Sequence, residues 1–249
     1  MKKKTIVLVA TVVMMLAALA IGGTLAYFTD TDSQENVMTT GKVDISQDEQ
    51  QRGENGLEDF EQDKPLMPAV YGEGEFIVDG FFNINNAVDK IVTVKNEAAE
   101  GAINQDAYVR TILAFETSKE YKAGTEEVLR DGKEIFDTYI GTLGDFDLLK
   151  RDTIEIDGVE YVLAVKVYEE ALAPQEVSDP SLKQIFMSPD ADNEVSILFG
   201  EEYTILALSQ GTQTSGFSSA AEALDAAFGD VEAVEAATLI EWLSACEKA

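Results

Sequence analysis

The sequence predicts a mainly-β protein: a jelly-roll-like antiparallel β-sandwich with short helices and an Ala/Glu-rich C-terminal helical tail. Three observations lead there. From Phe76 to Gln210, short runs of β-branched and aromatic residues recur between Gly, Asn and Asp clusters, the signature of successive strands. Asp157-Gly158 sits between two alternating runs, as a two-residue hairpin turn requires. Helices alternating with strands, which a doubly wound α/β fold needs, are missing until the tail.

The elements follow in order. Within "EFIVDGFFNINNAVDKIVTVKNEAAEGAINQDAYVRTILAFE" strands are predicted at Phe76–Val78, Ile91–Val94 and Tyr108–Phe115. "IVTVKN" alternates inward and outward residues, as a half-buried strand does. "TIEIDGVEYVLAVKVYEEAL" is the hairpin around Asp157-Gly158. "DPSLKQIF", beginning at Asp179, reads as a short helix entered through Pro180. "EVSILFGEEYTILALSQ" reads as a strand pair around Gly200. In the tail, Leu224, Phe228, Leu239 and Trp242 recur at helical spacing. Ser218 or Ser219 starts that helix, with Glu222 placed for a capping box, and Gly229 divides it in two.

The N-terminus has a different layout. Lys2, Lys3 and Lys4 precede an apolar run from Ile6 to Ile21, then Gly22-Gly23 and Thr24-Leu25-Ala26. Basic residues, an apolar run and a small-residue exit are the parts of a secretory signal peptide, and the run is short for a membrane span of ~20 residues. The expected cut lies between Ala26 and Tyr27; an uncleaved anchor is the alternative. The chain thus divides into a signal peptide (1–26), an extended segment (27–45), a sandwich domain (46–217) with a polar loop at 46–64, and a helical segment (218–249).

Composition narrows the function. A formal charge of -29 repels phosphate backbones and anionic lipid, so no nucleic-acid partner is expected and membrane contact only through the leader. The lone Cys246 allows no internal disulfide, which fits export to a Gram-positive surface better than a disulfide-building compartment. The chain has no histidine, so neither an HExxH zinc site nor a Ser-His-Asp or Cys-His pair can be assembled. With 47 acidic residues, any one pair of carboxylates carries no glycosidase signal. "DADNEVSILFGE" from Asp190 matches a calcium-loop template at its first, third, fifth and twelfth positions, but Val195 stands where the turn needs Gly. A looser cation site at Asp190, Asp192 and Glu194 is the other reading, and a solvated acidic turn the bland one. There is no phosphate loop, LPxTG sequence or Asn-x-Ser/Thr sequon. No enzymatic activity and no cofactor are expected.

The stretch "GGTLAYFTDTDSQENVMTTGKVDIS" resembles the N-terminal signature of the TasA and camelysin-like secreted proteins of Gram-positive bacteria. Ala26 and Tyr27 stand at the cut, Phe28 and Asp30 follow it, and Gly41-Lys42-Val43-Asp44-Ile45 stands where the family has its first strand. "DKIVTVKNEAAEGAINQDAYVRT" also looks like the family pattern; beyond about residue 116 the likeness is loose. The resemblance implies a jelly-roll sandwich and export, with cleavage by a SipW-type signal peptidase. It also implies self-assembly into biofilm or surface fibres, with other matrix components as further partners. In such assembly the freed segment, carrying Tyr27, Phe28, Val37, Met38, Val43 and Ile45 and lacking a hairpin partner of its own, adds as a strand to the next subunit. Folding back into its own sheet is the alternative for that segment. A monomeric secreted surface-binding module, with or without cation dependence, is the alternative for the protein. Camelysin-like members have been classed as metallopeptidases, an activity that the missing histidines argue against here.

Overall fold

A computed structural model describes residues 37–40, 43–60, 66–78, 82–84, 86–103, 105–118, 121–122, 129–191 and 203–246. In chain order the elements are β1 (Val37–Thr40), β2 (Ile45–Gly53), β3 (Gly56–Asp59), β4 (Tyr71–Val78), β5 (Phe82–Ile84), β6 (Val88–Asn96) and β7 (Ala107–Thr117). Next come β8 (Tyr121–Lys122), β9 (Leu129–Arg130), α1 (Gly132–Tyr139), β10 (Ile140–Gly144), β11 (Asp147–Leu148), β12 (Ile154–Ile156) and β13 (Val159–Val167). The last are β14 (Leu182–Met187), β15 (Ile205–Gln213), α2 (Ala220–Phe228) and α3 (Ala236–Ser244).

Two sheets face each other. Sheet A runs β1-β15-β7-β13-β11, with β12 paired to β13, and sheet B runs β10-β14-β6-β2-β3. Leu113, Phe115, Val162 and Ala207 of sheet A meet Val92, Leu182, Ile185 and Met187 of sheet B in one core cluster, which Ile135, Phe136 and Tyr139 of α1 close. The mainly-β sandwich with short helices is therefore the fold. From Ile112 to Phe115, β7 is apolar on both faces because both are covered: Leu113 and Phe115 face sheet B, while Ile112 and Ala114 pack with Leu239 and Leu243 of α3. Sheet A is thus the middle layer, between sheet B and the helical tail.

Local signals explain several elements. Asp157 and Gly158 both have positive φ, 48° and 90°, and join β12 to β13 with Ile156 opposite Val159, the geometry of a tight hairpin turn. The Ser219 hydroxyl accepts from the Glu222 N–H at 3.2 Å at the start of α2. The Glu222 carboxylate reaches back to the Ser218 N–H rather than that of Ser219, a capping box displaced by one residue. Gly229, at φ 89°, ends α2 and separates it from α3.

Four expectations are corrected. The polar loop at 46–64 is, from its start to Asp59, mostly a hairpin of β2 and β3. Its residues read as solvated because one face of β2 meets water while its inward polar side chains find hydrogen-bond partners. "DPSLKQIF" is not a helix: Leu182–Met187 is a strand held between β10 and β6, so sheet pairing on both sides overrides the local preference. The sandwich is not wholly antiparallel, since β1 pairs β15 in parallel. The sandwich reaches further toward the N-terminus than residue 46: Ile45 pairs with Asn96 of β6, and β1 lies on β15 in the arrangement of the fold-back alternative. The helix α1, capped by the Asp131 carboxylate at 2.9 Å from the Glu134 N–H, was not foreseen. The cleavage pair Ala26 and Tyr27, Phe28, the acidic stretch 192–200 and the first half of the pair around Gly200 lie outside the described residues.

Candidate assembly edge

The N-terminal strand sits at the edge of sheet A. Its register on β15 sets Val37 opposite Ser209, Met38 opposite Gln210, Thr39 opposite Gly211 and Thr40 opposite Thr212. Period-two alternation sends its first two side chains to opposite faces. Val37 packs against the inter-sheet cluster of Val43, Ile45, Val94 and Val109, and Met38 against the cluster that holds Leu208, Leu239 and Leu243. β1 ends at Thr40 in sheet A and β2 begins at Ile45 in sheet B, so the chain turns the corner between the two sheets between these strands.

The corner is fastened on its sheet B side. The Glu97 N–H donates to the Asp44 carbonyl at 2.8 Å, and the Ser46 hydroxyl donates to the Glu97 carboxylate at 2.8 Å. Lys95 hydrogen-bonds the same carboxylate, and with Ser46 it holds Glu97 below the usual carboxylate range. Val43 and Ile45 are buried. The seat itself is polar and dry. Ser209, Gln210 and Thr212 of β15 are all buried. The Ser209 hydroxyl donates to Gln47 Oε1 at 2.7 Å, and Gln47 Nε2 donates back to the Ala207 carbonyl at 3.2 Å. Because the Ser209 proton is used on Gln47, the Thr111 hydroxyl, 3.2 Å from Ser209 Oγ, is the donor to it. Gln47 therefore ties sheet B to the strand that carries β1.

Magnitudes show how firmly β1 is held. Ordering four strand residues costs roughly 1–2 kcal/mol each, and ladder hydrogen bonds return about 1 kcal/mol each, so the backbone terms nearly cancel. Val37 and Met38, each partly buried, add about 1–3 kcal/mol together. The net hold is small, about 1–3 kcal/mol at most from the two side chains, and the strand has only one sheet neighbour among the described residues.

The structure therefore splits the predicted assembly residues. Val37 and Met38 lie on the edge strand, whereas Val43 and Ile45 belong to the sandwich core; Tyr27 and Phe28 lie outside the described residues. Sequence reasoning missed Gln47, Ser209 and Gln210. The available signal was the polar interruption "LSQGTQ" in an otherwise apolar strand. Among the described residues, no three His, Cys, Asp or Glu side chains gather as a metal site would require. No helix among them is long and apolar enough to cross a membrane.

Residues 1–52 match the family model described as camelysin metallo-endopeptidase. The similarity to the TasA and camelysin-like family thus rests on the first 52 residues, which include β1 and nearly all of β2, and at family level it points to a secreted or surface protein connected with biofilm. Nothing matches among the curated proteins or among the solved structures.

Proposed function

We propose that this chain is a secreted, non-enzymatic structural subunit of an extracellular biofilm or surface fibre. After cleavage by a SipW-type signal peptidase, β1 passes from its own β15 edge to that of another copy. The supporting observation is the position of β1: a four-residue edge strand of sheet A, followed in the chain by a strand of the opposite sheet. An exchanged strand makes the same contacts in a neighbour that it makes at home, so exchange costs little beyond association. Ser209, Gln210 and Thr212 then present a vacated edge that pairs by β-augmentation. Val43 and Ile45 stay behind as core residues. Residues 27–36, with Tyr27 and Phe28, would extend the donated strand.

The test is electron microscopy with sedimentation on residues 27–249, beside a chain starting at residue 41, which keeps Val43 and Ile45. Regular fibres from the first and monomers from the second support donation. Monomers from both, with and without calcium, refute it and favour the surface-binding module. A second reading, a peptidase, is favoured only by the description of the matched family. Hydrolysis of labelled casein by residues 27–249, abolished by a chelator, would establish it.

A further inference from the structure

We propose that the C-terminal helices clamp the N-terminal strand: docking of α2 and α3 on the outer face of sheet A sets how firmly β1 stays on β15. Two sets of contacts connect the chain ends. The first is polar. Arg110 of β7, 2 % exposed, donates from Nη1 to Asp225 of α2 at 3.2 Å and from Nη2 to the Gly229 carbonyl at 2.9 Å. Its Nε donates to Gln210 Oε1 at 2.7 Å. An arginine offers only donors, so it holds the amide oxygen of Gln210 toward itself and turns the NH2 outward along β15. That NH2 meets the Met38 sulfur at 3.4 Å. One side chain, Gln210, thus joins the grip on the tail to the seat of β1.

The second set is apolar. Met38 packs on a cluster in which Leu239 and Leu243 of α3 and Val231 before it are buried with Leu206 and Leu208 of β15. Releasing the helices removes part of the floor under Met38. It also leaves Arg110, which is buried against Phe228 as well, with Gln210 as its remaining partner at this site. A guanidinium in that state turns toward water and lets the Gln210 amide rotate. Val37, on the other face, is untouched, so release of the clamp weakens the seat without dismantling the inter-sheet core. By linkage the coupling runs both ways: a stronger hold on β1 must stabilise the docked tail.

This coupling does not depend on where β1 goes once it leaves. If strand donation is correct, tail docking becomes its control.

The experiment uses residues 27–249 at a dilution where the chain is monomeric, comparing wild type with Asp225→Ala and Leu239→Asp. The latter places a charge at a fully buried position and so expels α3. Labelling of Cys246 reports release of the tail, and hydrogen exchange reports the amides of residues 37–40. Exchange there is expected to rise roughly tenfold in both variants while the β6 and β14 amides keep their protection. Conversely, Met38→Asp should speed Cys246 labelling. Unchanged exchange at 37–40 despite faster Cys246 labelling overturns the clamp. So does a uniform rise in all strands, or Cys246 labelling that ignores Met38→Asp. None of these readouts requires fibres, so failure of the clamp and failure of donation are separate results.

Discussion

Replacing Gly211 with alanine tests how closely the two sheets meet beneath β1. A methyl carbon at Gly211 would lie 2.8 Å from Ile45 Cδ1 and 3.3 Å from both its Cγ1 and Cγ2. Comfortable carbon contacts are ~3.5–4.0 Å, so the whole Ile45 side chain must move, not only its tip. It has little room, being buried among Val94, Ala107 and Val109. Overpacking of this kind costs about 1–3 kcal/mol, and the reduced freedom of the unfolded chain returns ~0.4–1 kcal/mol, leaving a net loss of about 1–2 kcal/mol. Gly211 lies in the β15 ladder outside the left-handed region, so contact rather than backbone strain sets this loss. Ile45→Val removes Cδ1 and by itself costs about 1 kcal/mol. In the alanine background it also removes the closest clash, so the double variant should be more stable than the sum of the singles by roughly 1 kcal/mol. Urea unfolding of the four chains, followed by Trp242 fluorescence, measures this coupling. Additive losses within error would refute the claimed close approach of Ile45 and β15.

Three further outcomes follow from the structure. Burial raises the Glu116 carboxyl above its usual 4.5, against the hydrogen bond it accepts from the Thr204 N–H. The charged form is therefore penalised in the folded state at neutral pH, and the penalty is relieved as pH falls through the raised value. Glu116→Gln, which keeps an acceptor for Thr204, should be more stable than wild type at pH 7, the difference vanishing below about pH 4.5 in pH-dependent urea melts. Asp89 is the opposite case: burial pushes it up, but hydrogen bonds from Arg52 and Gln184 and the Arg52 charge outweigh burial and hold it below 3.8. Its contribution is present above that value and lost as pH falls through the lower folded one. Asp89→Asn should then cost about 1 kcal/mol at pH 7, kept small by the half-exposed Arg52, and nothing in strong acid. Ser219→Ala removes the cap of α2 and should cost about 1 kcal/mol, read as faster labelling of Cys246 with little change in the β6 amides.

Legibility along the chain tracks the range of the forces involved. Asp157-Gly158, Ser219 and Gly229 were readable because a turn or a cap is decided by a residue's own backbone preference and by neighbours a few positions away. β7 and β13 were readable as strands because their apolar, β-branched composition suits no other element so well. Leu182–Met187 was not, since Leu, Lys and Gln favour a helix in isolation and only pairing with β10 and β6 makes them a strand. β2 was hidden by its polar composition; what makes "ISQDEQQRG" a strand is a hydrogen-bonded position between β6 and β3 and the bonds from Gln47 to β15. The continuous apolar run of β7 did carry a readable hint that sheet A is covered on both sides.

By itself, then, the sequence determined the mainly-β class, the hairpin at residues 154–167, the divided helical tail and the absence of histidine chemistry. Only the tertiary structure decided that Val43 and Ile45 belong to the core while Val37 and Met38 occupy an edge, and that the tail packs behind that edge. The physical reason is that edge and centre are properties of a strand's neighbours. Serine, glutamine and glycine look alike in a strand or a loop until the strands beside them supply, or withhold, their hydrogen bonds and space.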